Sequence, residues 1–97
     1  NALQYLPSKH REENLQEAVE LYEEVLVHRS RRSDPLGYAR VLANQANALA
    51  HLAVWEHATA KYTEARDLFA QAGDADAVAV VDRQLEQIDE ARGGQQA

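Results

Sequence analysis

The chain of 97 residues has no cysteine and no methionine, one tryptophan, one phenylalanine, two prolines and four glycines. Without cysteine there is no disulfide framework, no thiolate metal site and no thiol nucleophile. No apolar run approaches the roughly 18 residues of a membrane span, and no signal-peptide pattern opens the sequence, so neither a membrane nor an export route is expected. Serine occurs only at 8, 30 and 33, all at expected loops or helix ends, so no nucleophile elbow is present. A glycine-rich phosphate loop is missing too. Positive charge is the scarcer sign: ten Lys and Arg face sixteen Asp and Glu, for a formal charge of −6. That balance argues against nucleic acid and anionic membrane as main partners, since both require a positive face. The lack of methionine and the start at Asn1 read as a piece of a longer protein.

What is present favours helix. Eighteen residues are alanine, and Leu, Glu, Gln and Arg supply much of the rest. Val78–Val81 is the one stretch with strand character, and it runs into Asp82-Arg83-Gln84-Leu85-Glu86 without a turn, so it reads as helix. Asn14-Leu15-Gln16-Glu17 fits a capping box and starts a helix to about Ser30, with Leu15, Ala18, Val19, Tyr22, Val25 and Leu26 at helical spacing. Asp34-Pro35 starts a second helix, with Asp as N-cap and Pro at its first position. The phase breaks at Ala53-Val54, and a third helix carries Trp55, Ala58, Tyr62, Ala65, Leu68 and Phe69. Gly73 reads as its left-handed terminator, Asp74 or Asp76 opens a fourth, and Gly93–Ala97 reads as a frayed tail.

An internal repeat organises these elements. A shift of 40 lays the first helix on the third: Leu15 on Trp55, Ala18 on Ala58, Tyr22 on Tyr62, Asp34 on Asp74. A shift of 39 lays the second on the fourth, with Leu42 on Val81, Gln45 on Gln84 and Leu49 on Ile88. Asn1-Ala2-Leu3 echoes Asn47-Ala48-Leu49, as the stub of a preceding helix.

This pattern resembles the tetratricopeptide repeat. Leu42, Ala46 and Leu49 match the family's inner-helix positions, with Gln45 where leucine is usual, and Trp55, Ala58, Tyr62 and Ala65 match all four positions of its second helix. Ala53-Val54 replaces the usual glycine-containing turn, no proline closes the repeat, and the period is about 40, not about 34. The match is therefore to the long-period branch, similar to kinesin light chain and to arrays attached to bacterial signalling or peptidase domains. The resemblance implies an all-α fold of antiparallel helix hairpins stacked as a short α-solenoid: a partial repeat over 1–33, a full repeat over 34–73, a capping helix over 74–92, and a flexible tail over 93–97. It implies no enzyme and no cofactor. It implies a concave groove that holds a peptide or helix of a protein partner, with Arg40, Asn44, Asn47 and His51 as groove residues. Ala43 stands where the family's carboxylate clamp would place lysine.

Asp82 and Glu86 are candidates to continue the groove as an acidic floor, although a capping helix also needs a polar outer face. His28-Arg29-Ser30-Arg31-Arg32-Ser33 is the basic run; Arg and His at a helix C-terminus also complement its dipole. His10, His28, His51 and His57 lack zinc spacing, so no metal is expected. The alternative function is self-association. A truncated first hairpin would bare Leu15, Val19, Tyr22 and Leu26, and a homodimer would cover them. Absent cysteine and an absent export signal point to the cytoplasm.

Overall fold

The computed structural model describes residues 7–96, and the side chains of residues 11–93. The described residues form α1 (Pro7–His28), α2 (Pro35–His51), α3 (Trp55–Gln71) and α4 (Ala75–Gln96), with no strand. Each helix packs on its neighbour in sequence. Gln45 reaches Val19 and Glu23 across the α1–α2 turn, and Arg66 reaches Asp82 across the α3–α4 turn, each pair at similar distances from its turn, so these helices run antiparallel. α2 and α3, joined by the three residues 52–54 and packed on each other, also run antiparallel. The molecule measures 49 × 37 × 19 Å between its Cα extremes, so its thin dimension holds two layers of helices.

The two tight turns share one design. At the end of α2, Val54 N–H bonds to Leu49 C=O at 2.9 Å and Ala53 N–H to Ala50 C=O at 2.9 Å. At the end of α3, Asp74 N–H bonds to Phe69 C=O and Gly73 N–H to Ala70 C=O. Both are Schellman closures, which require a left-handed residue at the first position past the cap. Gly73 takes it freely at φ 79°, but Ala53 sits at φ 62° with a Cβ that the left-handed region disfavours.

Helix starts follow the carboxylates. Asp34 Oδ1 accepts from Gly37 N–H and Asp74 Oδ1 accepts from Ala77 N–H, each at 3.1 Å, so Asp74 rather than Asp76 caps α4. A Cβ on Gly37 would collide with the Asp34 carboxylate, which also takes a 2.8 Å bond from Arg29. Val54 begins α3 without any side-chain cap.

Two boundaries differ from expectation. α1 is already helical at Pro7, the first described residue, so Asn14 and Glu17 lie within the helix and form no capping box. Residues 8–13 contain no breaker, so nothing confines the helix to a start at Asn14. The expected tail is helical through Gln96, since neither Gly93 nor Gly94 is placed to terminate it and a helical glycine costs only about 1 kcal/mol. The expected stub at Asn1-Ala2-Leu3 lies outside the described residues.

The core is one cluster. Ala39, Ala46, Ala58 and Ala65 are 0% exposed, and around them lie Leu26, Leu42, Tyr62, Leu68, Phe69, Val81 and Ile88. Tyr62 is buried, whereas its repeat partner Tyr22 is half-buried. A shift of 40 lines up both helix pairs. The caps Asp34 and Asp74 are 40 apart, and Gln45, which faces α1, corresponds to Leu85, which faces α3. The stripe Tyr38, Val41, Gln45, Ala48 of α2 thus returns as Val78, Val81, Leu85, Ile88 of α4. The stripe Ala39, Leu42, Ala46, Leu49 returns as Ala79, Asp82, Glu86, Asp89, and so changes from apolar to acidic.

Replacing Ala53 with Gly should raise stability by about 0.5–1 kcal/mol, and replacing Gly73 with Ala should lower it by at least as much, read from urea melts. Ala58→Leu should overpack the α2–α3 contact and lower stability by about 1–3 kcal/mol in the same assay.

Candidate functional site

α2 and α4 flank a cleft floored by α3. Its first hollow, about 340 Å³, is lined by Arg40, Ala43, Asn44, Phe69, Asp74, Ala77, Val80 and Val81. Its second, about 270 Å³, is lined by Asn47, Ala50, His51, Trp55, Gln84, Gln87, Ile88 and Ala91. The four groove residues expected from the sequence, Arg40, Asn44, Asn47 and His51, therefore lie in one cleft. They share it because spacings of three and four residues return side chains to one helix face. The exposed Asn44 and Asn47 amides share the cleft with apolar side chains: Val80 on α4 is 56% exposed, and Trp55 on α3 is half-buried. Each amide offers both a donor and an acceptor, which suits a polypeptide backbone.

Sequence reasoning missed the α4 wall. Ala77, Val80, Gln84, Gln87 and Ala91 face α2, and Gln84 and Gln87 add two amides opposite Asn47. Their alternating spacing of three and four residues was the available signal; the shift of 39 concealed it by assigning the groove to Asp82 and Glu86. Those two residues do not continue the groove. Asp82, Glu86 and Asp89 border a different hollow of about 470 Å³, between α3 and α4, with Thr59, Thr63, Leu85, Ile88 and Arg92. Asp82 there accepts from Arg66 Nε at 2.5 Å and Nη2 at 3.5 Å, which holds the guanidinium firmly protonated.

The expected self-association residues are also placed elsewhere. Leu26 is 6% exposed and belongs to the core, and Leu15, Val19 and Tyr22 are half-buried on the same side of α1. The stripe turns towards α2, so it is not the bare face. The exposed apolar residues of α1 are Leu21, Val25 and Val27.

Away from the cleft lining, a polar knot joins α1, α2 and α3. Gln45, 2% exposed, donates from Nε2 to Val19 C=O at 3.2 Å and to Glu23 Oε1 at 2.8 Å. Lys61 reaches the same Glu23 oxygen at 3.4 Å. Gln45 Oε1 is buried and has no partner. The Gln45 hydrogen bond, with a smaller contribution from the Lys61 ammonium, holds the Glu23 carboxyl below its ordinary value of 4.5 against the opposing pull of burial.

Of the basic run, Arg29 pairs with Asp34 and Arg31 pairs with Glu64 at 2.8 Å while lying 5.8 Å from the Tyr38 ring centre. Ser30 Oγ accepts from the N–H groups of Arg32 and Ser33, which shapes the α1–α2 turn. No cluster of three His, Asp or Glu suited to a metal occurs among the described residues, and no helix there is long and apolar enough to cross a membrane. Comparison with family models, with curated proteins and with solved structures finds no match to this chain.

A glutamate with a depressed folded pKa stabilises the fold above its unfolded value, and that contribution is lost as pH falls through the folded value. Glu23→Gln should therefore flatten the decline in melting temperature below about pH 4.5. Gln45→Leu removes a buried acceptor that has no partner, so its melting temperature should equal or exceed that of the parent. A clear drop would show that the bonds to Val19 and Glu23 outweigh that desolvation.

Proposed function

We propose that this chain is a non-catalytic interaction module of tetratricopeptide type, which holds a peptide or helix of a partner protein in the cleft between α2 and α4. The observation that carries this reading is the convergence of Arg40, Asn44, Asn47 and His51 on one open cleft. Gln84 and Gln87 face them across floors of alanine, valine and aromatic side chains. The repeated Schellman turns and the 40-residue return of the cap aspartates support the repeat architecture. The ligand suited to this cleft is mostly uncharged in its contacting stretch. Backbone or amide groups would pair with Asn44 and Asn47, and two apolar side chains would fill the hollows. The hollows centre about two helical turns apart along α2, roughly 10 Å, a distance spanned by three residues of extended chain. Such a module acts by holding its partner in place, and its biological role follows from what it is joined to.

The test begins with a displayed peptide library selected on the chain, followed by calorimetry with the selected peptides. The double change Asn44→Ala with Asn47→Ala should weaken binding about tenfold or more while leaving helicity and melting temperature nearly unchanged. Undiminished binding, or backbone amide shifts that map away from α2 and α4, would overturn the assignment.

A further inference from the structure

The α2–α4 cleft repeats its chemistry along its length. Each hollow sets apolar side chains beside amides: Phe69 and Val81 with Asn44 in the first, Trp55 and Ile88 with Asn47 in the second. Its lining holds one base, Arg40, and one acid, Asp74, so with histidine counted neutral it carries no net charge, within a chain of charge −6. The two hollows centre roughly 10 Å apart along α2.

The sequence contains a segment with the same repeat. Asn1-Ala2-Leu3 and Gln4-Tyr5-Leu6 each read amide, apolar residue, leucine, and neither triplet has a charged side chain. A polyproline II backbone turns once in three residues and advances about 9 Å. That backbone would set Leu3 and Leu6 on one edge and Asn1 and Gln4 on another, each pair at close to the spacing of the hollows. Pro7 favours it, because proline drives the residue before it out of the helical region towards extended or polyproline II angles.

We propose that Asn1–Leu6 of one copy is the peptide held in the α2–α4 cleft of another. The inference rests on the cleft reading above and names its occupant. Leu3 and Leu6 fill the two hollows, while Asn1 and Gln4 pair with the amides of α2 and α4. An uncharged segment suits this exchange: it approaches a second acidic chain without repulsion and buries no unpaired charge in the cleft.

The contact runs between copies because the segment is too short to reach its own cleft. Gln45 meets α1 at Val19, and about 18 Å of helix separates Val19 from Pro7. Since α2 runs antiparallel to α1, the Asn47–His51 hollow lies about 10 Å from Pro7 along the helices and the Arg40–Asn44 hollow about 20 Å. Leu6 is one residue from Pro7, about 4 Å, and so enters neither hollow of its own chain.

Sedimentation equilibrium on the 97-residue chain should show concentration-dependent association. Leu3→Asp with Leu6→Asp should weaken it about tenfold or more with unchanged circular dichroism. A peptide of residues 1–8, acetylated and amidated, should dissociate the parent assembly. It should also bind the doubly substituted chain, whose own segment no longer competes, and shift backbone amide resonances of α2 and α4. A strict monomer at high micromolar concentration, association indifferent to the two leucine changes, or peptide-induced shifts confined to other helices would each overturn the proposal. If library-selected peptides bind the cleft and the 1–8 peptide does not, this occupant alone is wrong; if neither binds, the cleft reading falls with it.

Discussion

Four alanines set the geometry of this molecule. Ala39 and Ala46 on α2 and Ala58 and Ala65 on α3 are all 0% exposed in one core, and side chains this small allow packed helices to approach closely. Tyr62 and Leu42 fill the space to either side. The close approach explains the short Leu52–Val54 connection, which spans the gap only because Ala53 accepts a left-handed backbone. It also explains why Gln45 is buried at a position where an apolar residue would be easier to accommodate. Once α2 is drawn against α3, its opposite stripe lies on α1, and the amide finds its partners there.

The two edges of the array are chemically unlike. At the α4 edge the stripe that buries Ala39, Leu42, Ala46 and Leu49 in the preceding hairpin has become Ala79, Asp82, Glu86 and Asp89. A polar stripe is solvated at little cost, whereas burying unpaired carboxylates against another helix would cost several kcal/mol. The α1 edge keeps its apolar residues exposed. The described helices thus end in an acidic stripe at one edge and in a partly apolar one at the other. The cleft between α2 and α4 lies apart from both edges and presents amides over an apolar floor.

Stability and recognition draw on different stripes of the same helix. α2 gives Ala39, Leu42 and Ala46 to the core, Gln45 to the polar knot with α1, and Arg40, Asn44 and Asn47 to the cleft. Changes in the cleft stripe therefore leave the core intact.

Much of the secondary structure was legible in the residues, because it is set locally. Asp34-Pro35 marks a helix start, Gly73 a stop, and the Ala58–Tyr62–Ala65 spacing a packed face. The groove residues of α2 were legible for the same reason: helical periodicity alone places Arg40, Asn44, Asn47 and His51 on one side. The N-terminal extent of α1 and the helical Gly93 were not, since fraying and glycine tolerance depend on differences of about 1 kcal/mol that local patterns do not resolve. The opposite wall of the cleft was not legible either. In an alanine-rich helix a shift of one residue barely changes the match, but it turns every side chain by about 100°, from Gln87 facing the cleft to Glu86 on the α3–α4 hollow. The sequence by itself determined that there are four helices, the turns between them and which stripe of each is apolar. Tertiary structure alone decided which stripes meet, because that depends on the distance at which alanine lets two helices touch and on the direction each turn sends the chain.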